Sequence, residues 1–415
     1  MPAPQHDYDP NSMPVDAARI RIREFLTPIT TVERVHIRAA LDRTLAEDVI
    51  SPIDVPGHDN SAMDGYAVRH ADLRDDADVT LEVVGTSFAG RPFDGTVGAG
   101  EAARIFTGGV MPAGADTVIM QERARAEGGQ VMLGAGAKAG QNRRHRGEDL
   151  EQGQVVFAKG QPIGPAELGM LASLGIIEVG VYRRLRVAFF STGDELVSLG
   201  GALGPGQIYD SNRYTIHGLL SRMHCEVLDM GVIRDDPADV EAAFTEAAKI
   251  ADVVITSGGV SVGDADYVKQ ILDRLGKVHF WKLAMKPGRP LAFGKIGSTH
   301  FFGLPGNPVA VMVTFQQFVR DALLYLMGQA GAKPVPTFAA RLTAPVKKAP
   351  GRTEFQRGIL TRDEAGEWTV KPTGNQSSSI LSSMSLADCF IVLPEPQGNV
   401  EPGASVQVQL LHSFG

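Results

Sequence analysis

The apolar and polar positions of the chain fall into four successive textures. Val15, Ala18, Ile22, Phe25 and Leu26 recur at three- and four-residue spacings and predict a helix with one apolar face. Pro28 ends it, because proline lacks an amide donor and disfavours helix in the residue before it. A second short helix is expected over residues 39–46, so the first 55 residues read as helical. From Pro56 to Asp149 short apolar stretches, such as 81–84 and 117–120, sit between glycine-rich breaks, which predicts a small β-rich domain. Residues 165–174 read as a helix with Pro165 in the first turn and Gly175 just past the end.

From Arg186 to Gly328 strands and helices alternate. The run 187–190 ends in Ser191-Thr192-Gly193; a helix is expected over 212–223, a strand over 226–230, and a helix from the Asp236-Pro237 cap to Lys249. A strand at 252–256 breaks at Ser257-Gly258-Gly259 before a helix over 265–275. Alternation of this kind implies βαβ units with helices on both faces of a mixed or parallel sheet, and ligands at the carboxyl ends of its strands. That rule selects the turns at 192–195, 234–236 and 257–266. After Pro334 and Pro336 five short strands (339–342, 355–360, 368–371, 390–393 and 406–410) predict a small barrel or sandwich. The fold class expected is α/β multidomain.

Composition narrows the class without deciding it. In 415 residues, 43% are hydrophobic and 21% charged, enough to bury several cores. Disorder is expected only over residues 1–14, which hold four prolines and no apolar period. The net charge of −8 argues against a general nucleic-acid surface, which needs a basic face. Cys225 and Cys389 are too few for a disulfide framework and read as reduced thiols, although one bridge stays open. With no signal-like opening and no apolar run of roughly 18 to 20 residues, a soluble, cytoplasmic protein without membrane contact is expected.

The run Ser257-Gly258-Gly259-Val260-Ser261-Val262-Gly263-Asp264-Ala265-Asp266 carries the most chemistry. Glycines and serines between strand and helix let backbone amides face an anion, while Asp264 and Asp266 would equally cap the helix. Two neighbouring turns also carry acids, Asp194 with Glu195 and Asp235 with Asp236. Each like-charge pair at 4 Å and an effective dielectric of 20 costs about 4 kcal/mol, which a bound Mg²⁺ would relieve. Asp236 is also explained as the cap ahead of Pro237.

Cations come from Lys282, Lys286 and Arg289 around the Pro287-Gly288 turn. If that segment is extended, the two lysines share a face roughly 13 Å apart, at about 3.3 Å per residue. Gly303-Leu304-Pro305-Gly306-Asn307-Pro308 is either a second pocket loop or the start of the next helix, capped by Asn307. The segments 59–67, 104–109 and 143–149 gather acids, turns and cations that also suit plain turns or solvated charge runs. Scattered histidines with neither HExxH nor CxxC argue against zinc.

Nine strings in order resemble the MoeA proteins and the E domain of gephyrin: DNSAMDGYAVR (59–69), RIFTG (104–108), RGED (146–149), STGDEL (191–196), IYDSN (208–212), TSGGVSVGDAD (256–266), KPGRP (286–290), GLPGNP (303–308) and GNQSSS (374–379). The resemblance implies four domains: an N-terminal helical unit of 1–55 and 150–185, an inserted β-rich domain of 56–149, a molybdopterin-binding-like α/β domain of 186–333, and a C-terminal β-barrel of 334–415. It also implies a homodimer whose site lies between the α/β domain of one subunit and the inserted domain of the other. The implied reaction takes adenylylated molybdopterin, molybdate and Mg²⁺ to molybdenum cofactor and AMP, and leaves room for transient contact with other cofactor-biosynthesis proteins.

By position, the resemblance assigns Asp64 and Thr107 to the inserted-domain side. Glu195, Asp235 and Asp266 fall at the Mg²⁺ and phosphate end, and Lys282 and Lys286 at the anionic pterin or molybdate. Ser257, Gly258, Gly259, Ser261, Gly263, Arg289, Pro305, Gly306 and Asn307 line the substrate, with Arg357 and Ser378 closing from the barrel. Ile380 stands where the family often has arginine. No covalent nucleophile is evident, so catalysis is expected to be electrostatic and positional. Two other readings stand beside this one: adenylyl transfer from ATP to molybdopterin, as in the related MogA and gephyrin G modules, and a gephyrin-like scaffold for protein tails. The inserted domain and the barrel weigh against the first.

Overall fold

The computed structural model of the chain describes residues 11–258 and 266–411. Its centre is a six-stranded sheet in the order Glu226–Ile233, Arg186–Thr192, Val253–Ser257, Thr299–Leu304, Pro290–Ile296, Gly276–Lys282. The first four strands run parallel and the last two join antiparallel, so the sheet is mixed. Successive residues of each strand feed two cores, as strand pleating requires. Val187 and Phe189 pack with Val253, Ile255 and Phe302 on one face; Ala188 and Phe190 pack with Val254 and Phe301 on the other. Helices Pro237–Ile250 and Asp266–Leu275 cover the second face through residues such as Val240, Phe244 and Ile271.

The first face is covered by helix Ser211–Arg222 and by the long helix Pro308–Leu326, which runs through a π-helical turn at Phe315–Val319. That helix has 19 residues at a mean hydropathy of 1.2, long and apolar enough to cross a membrane, against the expectation from the sequence. Its apolar window is 72% buried in the protein, so here it is a core helix.

The N-terminal helix Val15–Phe25 buries Val15, Ala18 and Ile22, and Leu26 follows them into the same α/β core. Phe25 departs from the expected face: it is 44% exposed and meets the His279 ring. The helix expected over 39–46 does not form. A short 3-10 turn, Ile37–Ala39, is followed by chain whose Leu45 and Ala46 amides bond the Gln161 and Gly180 carbonyls. Strand Val32–His36 pairs antiparallel with Glu178–Tyr182, and Val49–Ile50 with Val155–Phe157. Leu45, Val49, Phe157, Ile163, Leu171, Val179 and Val181 make their own core. Beyond helix Val15–Phe25, the N-terminal unit is therefore mostly strand, with Pro165–Ser173 its one further α-helix among the described residues. Of the segment 1–14, Met1 to Pro10 lie outside the described residues; Met13 is ordered, bridging Leu283 and exchanging bonds with Lys282 and Ala284.

The inserted domain holds a six-stranded sheet from Gly65–Val68, Val79–Ser87, Glu101–Ile105, Thr117–Met120, Ala124–Glu127 and Gln130–Leu133. Its charge run is structural. Arg143 pairs with Asp59 and Arg146 with Asp54, tying the two ends of the insertion together. The C-terminal strands Thr337–Leu342, Thr353–Arg362, Trp368–Pro372, Cys389–Leu393 and Ser405–Leu410 close into a five-stranded barrel, because Thr353–Arg362 pairs with both Trp368–Pro372 and Cys389–Leu393. The same long strand also takes up Met285–Lys286 in parallel, joining barrel to α/β domain. Cys225 and Cys389 are free and buried, and burial pushes both thiols up to about 12.

Candidate functional site

Three turns meet where the α/β domain touches the barrel. They enclose a cavity of about 690 Å³ lined by Gly258, Lys286, Arg289, Pro305, Gly306, Asn307 and Ser378, together with Arg352 and Gln376. Seven residues proposed from the sequence therefore line one cavity, beside the carboxyl ends of the parallel strands Val253–Ser257 and Thr299–Leu304. Tight backbone approach explains two glycines. Gly258 has φ +88°, and a Cβ there would lie 2.7 Å from the Thr192 carbonyl oxygen. Gly288 has φ +96°, and its Cβ would meet Thr314 Oγ1 at 2.5 Å. A side chain at either position would be strained and would push the turn into the cavity.

The cavity walls are fixed by polar contacts behind them. Asn212 Nδ2 donates to Ser257 Oγ at 2.8 Å and to the Gly306 carbonyl at 2.6 Å. Ser257 is 2% exposed, so its hydroxyl braces the turns. Asn307 occupies the N-cap position of the long helix, yet its side chain makes no capping bond. The Ser378 carbonyl instead accepts the Val309 amide at 3.1 Å, so the serine loop of the barrel satisfies a donor of that helix.

Arg357 differs from its expected place. It is fully buried and does not line the cavity. Its Nε donates to Ser383 Oγ at 3.0 Å, and its terminal nitrogens to the carbonyls of Asn375, Gln376 and Ser377. It thus shapes the serine loop from behind, and burial pushes its guanidinium down to about 10. Lys282 and Lys286 do not share one extended segment. Strand Gly276–Lys282 ends at Lys282, Met13 pairs at Leu283, and the Leu283 amide bonds the Arg289 carbonyl, so the chain doubles back. Lys286 reaches the cavity; Lys282 is exposed and does not line it.

The acids lie at the ends of adjacent parallel strands. Thr192 is registered with Ile233, which sets the Asp194–Glu195 turn beside Asp235. The Asp235 amide approaches Asp194 Oδ1 at 3.4 Å. Glu195 and Asp235 are exposed, and neither lines the cavity. Gly259, Ser261, Gly263 and Asp264 lie outside the described residues, as does the Asp266 side chain. Among the described residues no three His, Cys, Asp or Glu side chains converge on one point. Asp236 caps its helix as the sequence allowed, accepting the Ala238 amide at 2.9 Å.

On the inserted domain, Asp64 and Thr107 come together. Asp64 Oδ1 accepts the Thr107 amide and hydroxyl, each at 2.7 Å, and these bonds hold its carboxyl below the usual range. Thr107 is exposed and Asp64 half-buried, and neither lines the cavity of its own chain. Arg352 and Gln376 were missed. A signal for Arg352 was present: Pro350-Gly351-Arg352 repeats the Pro287-Gly288-Arg289 pattern, and both arginines reach the cavity.

Three family descriptions match in order: the MoeA N-terminal region (domain I and II) over residues 13–175, a probable molybdopterin binding domain over 188–325, and the MoeA C-terminal region (domain IV) over 339–411. A molybdopterin molybdenumtransferase of Haemophilus influenzae is 48% identical, over 95% of this chain and 98% of its own length. One from a Nostoc species is 39% identical, over 98% and 95%. A solved structure of the molybdopterin biosynthesis moeA protein from Pyrococcus horikoshii superposes with a TM-score of 0.83 at 28% identity, covering 96% of this chain and 100% of its own. On these matches, and on the order of the three matched regions, the chain belongs to the MoeA family of molybdopterin molybdenumtransferases.

Proposed function

We propose that the protein inserts molybdate into adenylylated molybdopterin with Mg²⁺, cleaving the phosphoanhydride and releasing AMP. The observation that carries this reading is the cavity in which Lys286, Arg289 and Arg352 converge on rigid Pro-Gly turns within a chain of net charge −8. Three cations around about 690 Å³ suit a ligand that is itself anionic, such as a pterin phosphate with a tetrahedral oxyanion.

The chain's own residues bind and orient. Lys286 and Arg289 take the oxyanion, and the 305–307 turn and Ser378 give the substrate its opposite wall. Because arginine presents a planar fork and lysine a mobile point charge, the two set orientation and charge balance respectively. Asp64 and Thr107, paired on the inserted domain, are proposed to complete the cavity of the partner subunit in a homodimer.

Glu195 and Asp235 fit Mg²⁺ by donor type, since they bring hard carboxylate oxygens to neighbouring strand ends. One or two such carboxylates suffice, because Mg²⁺ keeps several waters and takes phosphate oxygens. When bound, the ion neutralises charge on the phosphoanhydride. Asp266, at the start of helix Asp266–Leu275, is proposed as their companion. A cytoplasmic location goes with this reading.

The test mixes purified protein with adenylylated molybdopterin, Mg²⁺ and molybdate and follows AMP. Molybdate-dependent AMP, lost in Lys286→Ala, supports the reading. Absence of AMP from folded protein overturns it, and ATP consumption with pyrophosphate release would assign the earlier adenylylation step instead.

A further inference from the structure

Lys286 stands at the cavity with a carboxylate directly behind it. In the parallel pairing between Met285–Lys286 and the barrel strand, Lys286 is registered opposite Glu354. Its Nζ lies 3.6 Å from Glu354 Oε1. The lysine side chain is 49% exposed, whereas that of Glu354 is 4% exposed.

A carboxylate this deep is unfavourable unless both oxygens are satisfied. Glu354 Oε2 accepts from Gln356 Nε2 at 2.9 Å, and Gln356 is anchored in turn on the Lys347 carbonyl at 3.1 Å. Lys348, a second cation near Glu354, spends its ammonium on the carbonyls of Ala349, Glu395 and Gln397. Glu354 Oε1 is thereby left to Lys286. An ammonium has three donors, so the ion pair fixes Lys286 from behind and leaves donors for a ligand in front.

We infer that Glu354 is a positioning residue, whose buried carboxylate holds the Lys286 ammonium at the cavity wall so that the oxyanion meets a preset cation. This rests on the proposed molybdate chemistry. It also gives the barrel a part in the site beyond closure. Residues 354 and 356 point to one side of the strand and hold Lys286; Arg357 points to the other and holds the serine loop. One barrel strand thus sets two walls of the cavity.

A Glu354→Gln variant keeps the shape and the Gln356 contact but removes the charge. Its KM for molybdate is expected to rise about tenfold with kcat changed less than about twofold, the signature of lost positioning for binding. Glu354→Asp, with its charge one methylene further back, is expected to fall between; should Glu354→Gln fail to fold, it carries the test alone. In a Lys286→Ala background, where AMP release is lost and molybdate affinity is read by equilibrium dialysis instead, the Glu354→Gln change should add nothing, because the partner is already gone. A purely structural role predicts additive losses and no selective rise in KM. Folded variants with unchanged KM, or additive effects, overturn the inference. If the wild type releases no AMP, the functional reading fails by itself. The same cycle is then read from molybdate affinity by equilibrium dialysis, where additivity, or no effect of either variant, still refutes the role of Glu354.

Discussion

Asn212 bridges two cavity turns with one amide nitrogen, 2.8 Å from Ser257 Oγ and 2.6 Å from the Gly306 carbonyl oxygen. The residue sits in the first turn of helix Ser211–Arg222, whose cap is Asp210, so a rigid element holds the bridge. Each bond contributes about 1 kcal/mol net. Asn212→Ala is expected to raise KM for adenylylated molybdopterin about fivefold while kcat falls less. Asn212→Asp should be worse, since a carboxylate would face the Gly306 carbonyl. Steady-state kinetics on both variants checks the order, and an Asp variant as good as wild type would refute it.

Arg357 supports the serine loop through the carbonyls of three consecutive residues. Lysine cannot reproduce the fork, and hydrogen bonds to a charged group contribute roughly 1.5–3 kcal/mol. Arg357→Lys is therefore expected to lose about 2–3 kcal/mol and to loosen the loop. The Val309 amide, which donates to the Ser378 carbonyl, reports this directly. Its hydrogen exchange should speed up in the variant. Unchanged exchange there would detach Arg357 from the loop.

The central sheet was readable because its strands are buried on both faces and so appear as unbroken apolar runs, as at 187–190 and 253–256. Strand Val32–His36 was not, since it is mostly exposed and only its pairing with Glu178–Tyr182 makes it a strand. The helix expected near 39–46 failed for a related reason. The Leu45 and Ala46 amides are taken by chain more than a hundred residues away, which outweighs local propensity. At the site, the cationic turns were visible through Pro-Gly pairs. The reversal between Lys282 and Lys286 has neither Gly nor Pro at 283–284 and is set by Met13, a distant partner. Glu354 gave no signal, because a carboxylate in a strand reads as solvent-facing until the barrel closes over it.

Asp64 owes its low titration to Thr107, through the amide first and the hydroxyl second. Thr107→Val removes the hydroxyl donor and keeps the amide. The carboxyl should then titrate higher, closer to the ordinary 3.8, which ¹³C spectroscopy of the carboxyl carbons resolves. If the pair also completes the partner's cavity, the same variant slows AMP release, and mixing it with Lys286→Ala subunits restores some activity in heterodimers. No recovery from such mixing would confine the pair to its own subunit.

His300 makes the stability of the α/β core sensitive to acid. It is 4% exposed within strand Thr299–Leu304 of the central sheet, and burial, aided by the Lys295 charge, pushes its imidazole down to about 4. Its Nδ1 has no hydrogen-bond partner among the described residues. The unfolded chain protonates near the ordinary 6.5, so between the two values it holds a proton that the fold refuses. The contribution is whole above about pH 6.5, shrinks as pH falls, and levels off below about 4 after a loss of order 3 kcal/mol. Asp252 responds at lower pH. Burial raises its carboxyl, but the bonds from Arg183 and the Arg186 amide outweigh burial and hold it below the usual range. Its stabilisation is thus present above the ordinary carboxylate value and lost as pH falls through its lowered one. Urea midpoints at pH 7.5, 5.5 and 4 should fall faster in the wild type than in His300→Gln, which has no proton to take up. Parallel slopes for the two proteins would show that another group carries the acid sensitivity.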